Sequence, residues 1–378
     1  MGALHIFNPG NDLALASGQR YYTPPTAAVT LERAGVWLPL LLGEKGDYIL
    51  AEKETYIPEE LNQHWDHGMN LWNREPVCEL KPWGWSQWSM ECFKRAFKRR
   101  ETKWNENLVR NIDIQRIENL SHRRTSIAVH REIKSGLDPI EAFSLNEAES
   151  ALHHWKNVVG KSPLSGSGRG VFHGSLKSSD VFLSRCNATI SRQGSVMIER
   201  EFEKIAEFAM LFTLNRKTGV KFTGYSLFET SGDTYSSNLL LPDSEILHIV
   251  SRLCPTTNFS MLQEQMETIM GNIIGTPVPY EGYFGVDMMI YNDNNTPKVN
   301  PCIEVNMRST MGVVSWKATS RLLHPESRGR FGLSASMKTE NSKPAKWING
   351  RLAEGYISLS SPQEELQFYI EAEKSRID

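Results

Sequence analysis

Phe284-Gly-Val-Asp-Met-Met-Ile-Tyr291, the polar turn Asn292-Asp-Asn-Asn-Thr-Pro-Lys298, and Val299-Asn-Pro-Cys-Ile-Glu-Val-Asn-Met-Arg-Ser-Thr-Met-Gly312 together decide how the chain is read. Two β-like runs around an Asn/Asp/Pro turn predict a hairpin. In the first run Val286, Met288 and Ile290 alternate with Asp287, Met289 and Tyr291; in the second, Ile303 and Val305 alternate with Cys302, Glu304 and Asn306. If Asp287 pairs near Glu304, then Asp287, Glu304 and Asn306 share one face and the aliphatic set packs on the other. Two carboxylates and an amide oxygen make a hard site suited to Mg²⁺, which keeps some waters and takes further oxygens from phosphates. Arg308 follows, where a planar fork can grip a carboxylate or phosphate. The plainer alternative is an edge hairpin with a solvated charged face. The clustering of Asp, Glu-x-Asn and Arg in otherwise apolar strands favours a site.

Around this hairpin lie 378 residues, enough for two or three domains with their own cores. Apolar content of 40% and charged content of 23% are those of an ordinary globular protein. The net charge of −2 gives no whole-chain attraction to nucleic acid or anionic membranes. The apolar run Val36–Leu42 is too short to span a bilayer, and Met1–Leu15 lacks signal-peptide segments. Five cysteines without a C-x-x-C pair indicate neither a disulfide framework nor a zinc site. The expected location is the cytoplasm.

Ala3–Phe7 predicts a buried strand ending in Asn8-Pro-Gly-Asn-Asp12. That loop is either a ligand loop at a strand's carboxyl end or a tight turn that needs Gly10. Thr26–Ala34 predicts a helix, and Val36–Leu42 and Asp47–Ala51 predict strands, giving a small open α/β domain over residues 1–112. The Trp-rich segment 82–88 leads into a helix, Met90–Lys103, with basic residues outward and Phe93, Ala96 and Phe97 inward. That inner face argues against a nucleic-acid surface. Ser121 is a candidate N-cap, and Ser144 with Glu147 forms a capping box for a helix to Trp155.

A β-run ends at Lys161 and opens into Ser165-Gly-Ser-Gly168, then Arg169-Gly-Val171. Backbone N–H groups here can approach phosphate oxygens with Lys161 as a point charge, although a flexible hairpin tip reads equally well. The order of glycines and lysine is not that of a Walker A loop. Strands are predicted over Ser195–Phe202, Lys204–Leu214, Lys221–Phe228 and Tyr235–Leu241. A helix follows over Ser260–Ile274, where Met261, Met266 and Met270 read as core. Arg328–Pro344 reads as a loop and Ser361–Ser375 as an amphipathic helix.

Three segments stand in fixed order: Lys161 with its Ser/Gly loop, Ile198-Glu-Arg-Glu-Phe202, and Asp287 with Glu304-x-Asn306-x-Arg308. Over about residues 115–320 this order resembles the ATP-grasp superfamily, which includes D-alanine ligases, biotin carboxylases and glutathione synthetases. The resemblance implies an α/β and α+β multidomain chain. A pre-ATP-grasp-like domain, 1–112, would precede an ATP-grasp fold of two α+β subdomains, 113–194 and 195–325, with a C-terminal extension, 326–378. It implies ATP and Mg²⁺ (or Mn²⁺) as cofactors. Lys161 and Ser165, Gly166, Ser167 and Gly168 would meet phosphates; Glu199, Arg200 and Phe202 would hold adenine, and Glu207 ribose. Asp287, Glu304 and Asn306 would bind the metal, and Arg308 would steady the carboxylate or its acyl phosphate. Many members carry a lysine where Ser121-His-Arg-Arg124 stands, so Arg123 or Arg124 takes its place; Met307 stands where proline is usual. Asn8, Asn11 and Asp12 become candidate substrate contacts, because the family's first domain often contributes them.

The activity implied is ligation of a small-molecule carboxylate to an amine through an acyl phosphate. A phosphotransferase on the same scaffold and a catalytically silent nucleotide-binding protein are the alternatives. Neither the identity of the substrates nor the oligomeric state is written in the sequence.

Overall fold

The structure, a computed structural model, describes residues 1–51, 57–166, 170–232, 234–335 and 343–374. Three sheets organise it. The first is all parallel, in the order β3-β2-β1-β4, from β1 (Gly2–Ile6), β2 (Tyr48–Ile49), β3 (Asn70–Leu71) and β4 (Val77–Pro82). The second is antiparallel, in the order β5-β8-β6-β7, from β5 (Ile140–Ala142), β6 (Asn157–Lys161), β7 (Val171–Ser175) and β8 (Val196–Arg200). The third has nine strands in the order β13-β12-β9-β10-β11-β14-β17-β16-β15. Its members are β9 (Glu203–Asn215), β10 (Gly219–Ser231), β11 (Thr234–Leu240), β12 (Gly282–Asp293), β13 (Thr296–Asn306), β14 (Ser327–Ser334), β15 (Lys346–Ile348), β16 (Arg351–Ser358) and β17 (Gln367–Lys374).

The hairpin of β12 and β13 forms as its sequence predicts, with Asp287 directly opposite Glu304. Its tip is the pair Asn294-Asn295, both left-handed (φ 52° and 64°), the backbone that a two-residue hairpin turn demands. Register then slips: Asp287 faces Glu304 but Met289 faces Asn300, so the β13 side bulges opposite Met288. The bulge corrects the simple alternation. Cys302 is fully buried in the core, whereas Ile303 joins Glu304 on the cavity side.

The helix Leu145–Trp155 has its capping box, Ser144 with Glu147. The helix Gln87–Arg99 is started by Ser86 rather than near Met90, and Trp83, Trp85 and Trp88 are all buried. The tryptophans are therefore core, not a stacking platform. Ser121 ends the helix Ile114–Ser121 instead of capping the next one. In the helix Phe259–Ile274, Met266 and Met270 are buried but Met261 is exposed.

Two larger corrections concern the chain's ends. Val36–Leu42 contains a short buried helix, Pro39–Leu42, not a strand. The expected loop Arg328–Pro344 and amphipathic helix Ser361–Ser375 instead contain strands β14 and β17, which pair along their whole length; residues 336–342 and 375 lie outside the described residues. Phe331, Phe368 and Ile370 of these strands share a core with Phe7, Trp37, Leu38, Leu40 and Leu41. The C-terminal strands thus share a core with the chain's N-terminal elements. No helix among the described residues is long and apolar enough to cross a membrane.

Candidate active site

A cavity of about 960 Å³ lies between the second sheet and one face of the third. The ends of β6 and β8 bring Lys161, Glu199, Arg200 and, just beyond, Phe202 to it; β9, β12 and β13 bring Glu207, Asp287, Glu304 and Asn306. Arg123, buried ahead of the helix Arg124–Ile133, enters from below, and Arg308 closes one end.

The cations are matched to acids. Lys161 contacts Glu199. Arg123 reaches Glu304 Oε2 at 2.9 Å and donates to Ser165 Oγ at 3.3 Å. Arg308 donates through Nε and Nη2 to both oxygens of Asp12 and through Nη2 to the amide oxygen of Asn306 at 2.8 Å. Asn306 in turn donates to Asp287 Oδ2 at 2.9 Å. Burial opposes charge on Arg308, but Asp12 outweighs it and holds its pKa above the ordinary value. Burial and then Glu304 push the Asp287 carboxyl up to about 7, against the pull of Arg308 and Asn306.

That strained carboxylate pair is the test of whether a metal fits. Asp287 and Glu304 lie side by side on paired strands, a donor set for a hard divalent cation that would draw further oxygens from phosphates and water. No cluster of three or more His, Cys, Asp or Glu side chains suited to a metal occurs among the described residues. Asn306 accepts from Arg308 and donates to Asp287, tying the two together, and its amide oxygen keeps a second lone pair beside Asp287.

At the far end, Arg200 sits over the Phe202 ring at 5.0 Å, and Phe202 packs on Tyr291 at 4.2 Å. Glu207 accepts from Lys204 Nζ at 2.7 Å and from Thr230 Oγ1 at 2.6 Å. Gly166 lies against Asp12; Ser167 and Gly168 lie outside the described residues. Arg124 turns away to Glu141, so of the two arginines Arg123 is the one in the cavity.

Asn8 and Asn11 do not face the cavity. Asn8 is spent on the backbone of Gly84, donating at 2.8 Å and accepting at 3.3 Å, and Asn11 is wholly buried beside the same glycine. Of that loop, Pro9 lines the cavity and Asp12 reaches it through Arg308.

Sequence reasoning missed Ser226 of β10 and Asn238 of β11, both lining the cavity, and His130, because polar residues are frequent in both strands. His130 is buried behind the hairpin and donates Nε2–H to the carbonyl of Cys302 at 2.9 Å, pinning the bulge. Burial lowers its pKa to about 4, so it is neutral at pH 7. Only its place in an amphipathic helix signalled it.

No family model matches the chain, and no curated protein matches its sequence. Solved structures do match in shape. The N5-carboxyaminoimidazole synthetase of Staphylococcus aureus, solved with ADP, aligns over 99% of this chain and 93% of its own at 12% identity and a TM-score of 0.50. The biotin carboxylase of Campylobacter jejuni, solved as a β-γ-ATP complex, aligns over 99% and 88% at 12% identity and 0.51. The phosphoribosylamine–glycine ligase of Thermotoga maritima aligns over 99% and 92% at 11% identity and 0.50. With this agreement in shape along nearly the full chain, the protein has the ATP-grasp fold.

Proposed function

We propose that the protein is an ATP- and Mg²⁺-dependent (or Mn²⁺-dependent) ligase that joins a small carboxylate to an amine through an acyl phosphate. The observation that carries this reading is the convergence of Lys161, Arg123 and Arg308 with Asp287 and Glu304 in one cavity. The relatives in shape, solved with ADP or an ATP compound, support a nucleotide there.

Adenine would enter beside Phe202, where β8 passes into β9, with Glu207 and Lys204 near the ribose. Lys161 and the Ser165–Gly166 loop would receive the phosphates. A bound divalent cation would supply charge neutralisation of the phosphate oxygens, held by Asp287 and Glu304. The substrate carboxylate, steadied by Arg308, attacks the γ-phosphorus while the bond to the β-phosphate oxygen breaks. The amine then attacks the acyl carbon, inorganic phosphate leaves with the bonding pair, and the amine gives up a proton. Phosphoryl transfer asks the protein mainly for positioning and charge, which fixed cations in a water-poor cleft supply.

The test is ADP and phosphate release across pooled carboxylic acids and amines. Amine-dependent release of both supports ligation. ADP without free phosphate would make the protein a phosphotransferase, and nucleotide binding without turnover on any pool would leave the silent binding protein.

A further inference from the structure

The third sheet places the candidate metal carboxylates and a set of neutral polar groups in register. Glu304 faces Asp287, Asp287 faces Ala209, and Ala209 faces Ser226, so these four form one row across β13, β12, β9 and β10. The neighbouring row runs Met289, Glu207, Phe228, Asn238 and Phe331. Ser226 therefore lies two strand spacings from Asp287, about 10 Å, with only the small Ala209 between them.

Ser226 ends a directional relay. Tyr235 donates its hydroxyl to Asn238 Oδ1 at 2.6 Å, and Asn238 Nδ2 donates to Ser226 Oγ at 2.7 Å. Ser226 and Asn238 are each 1% exposed, yet both line the cavity. With its oxygen receiving from Asn238, Ser226 donates to no acceptor among the described residues, so its O–H is the relay's remaining donor. Gly312 permits this closeness: a Cβ there would stand 3.0 Å from Ser226 Oγ. The same cavity is also lined by Thr26, Thr30, Leu31, Thr310 and Leu333.

We infer, resting on the ligase reading above, that the carboxylate substrate is a short acid carrying a neutral hydrogen-bond acceptor, a hydroxyl or carbonyl oxygen. Its carboxylate lies by Arg308 and Asp287, its chain crosses Ala209, and its polar oxygen accepts from Ser226. Tyr235 and Asn238 are positioning residues that fix which way the Ser226 proton points. A polar wall of this kind discriminates strongly, because an acid lacking the oxygen leaves the buried hydroxyl without a partner.

The experiment measures ATP-dependent hydroxamate formation, with hydroxylamine as the amine, for γ-hydroxybutyrate and levulinate against butyrate and pentanoate, with 3-phosphonopropionate as the acid carrying an anionic group. ATP-analogue binding is measured by calorimetry alongside. The expected result is at least about a tenfold preference in kcat/KM for the hydroxy and oxo acids. Ser226→Ala should erase that preference with the KM for ATP unchanged. Asn238→Asp keeps an acceptor for Tyr235 but removes the amide donor, so the Ser226 proton is drawn back and the preference falls as well. An equal or greater rate with butyrate, pentanoate or 3-phosphonopropionate, or an unaltered preference in the Ser226 variant, overturns the inference. So does nucleotide binding without reaction of any of these acids, which leaves the ligase reading standing. Failure to bind the ATP analogue overturns both.

Discussion

Arg308 holds both carboxylate oxygens of Asp12, at 2.8–3.0 Å, across 296 positions of the chain. The pair couples the N-terminal loop to the floor of the cavity, and through Asn306 to Asp287. Both partners are largely buried, with side chains 14% and 13% exposed. Removing one charge leaves the other uncompensated. Asp12→Asn should therefore cost about 3 kcal/mol in chemical denaturation. The double change with Arg308→Gln should recover part of that loss, giving a coupling of about 2 kcal/mol in the mutant cycle. Additive effects would show that the contact carries no energy.

Gly166 couples the Ser/Gly loop to the same pair. A Cβ there would fall 2.5 Å from Asp12 Oδ2, and Asp12 cannot yield without leaving Arg308. Gly166→Ala should lower kcat/KM for the carboxylate about tenfold, the loss of one charge-assisted contact. Wild-type kinetics in that variant would separate the loop from Arg308.

Glu304 serves two partners, Asp287 across the hairpin and buried Arg123. Glu304→Gln should reduce Mg²⁺-dependent turnover by about a hundredfold or more. It should also cost about 1–2 kcal/mol, because Arg123 loses its counter-charge. Full turnover at saturating Mg²⁺ would show that Glu304 takes no part in holding the cation.

Glu32, on a helix with other residues lining the cavity, offers a pH signature. Burial on the helix Thr26–Ala34 pushes its carboxyl up to about 7. A raised acid pKa means that the folded state disfavours the anion: there is no penalty below the unfolded value near pH 4.5, and the full penalty applies above pH 7. Glu32→Gln should accordingly stabilise the protein by about 2–3 kcal/mol at pH 8 and leave it unchanged at pH 4. Unfolding free energies compared at the two pH values check the sign; a gain at pH 4 would contradict it.

The sequence by itself determined the hairpin of the site and much of what it carries. Asp287, Glu304 and Arg308 were legible because a two-residue period with polar side chains on one edge of apolar strands reports a face directly. Lys161 and the Glu199–Phe202 strand end became candidates only through the resemblance, since the Ser/Gly loop by itself read equally as a hairpin tip. The C-terminal strands were not legible: Gln367–Ile370 is buried throughout, so the alternation that marks a half-exposed strand is missing, and Val36–Leu42 is too short to tell buried helix from strand. Only the tertiary structure decided that Asp12 answers Arg308, that Arg123 rather than Arg124 meets Glu304, and that Ser226 shares a row with Asp287. Those relations depend on strand order and register between segments far apart in the chain. A one-residue slip would reverse every side chain, and nothing local to either partner encodes the pairing.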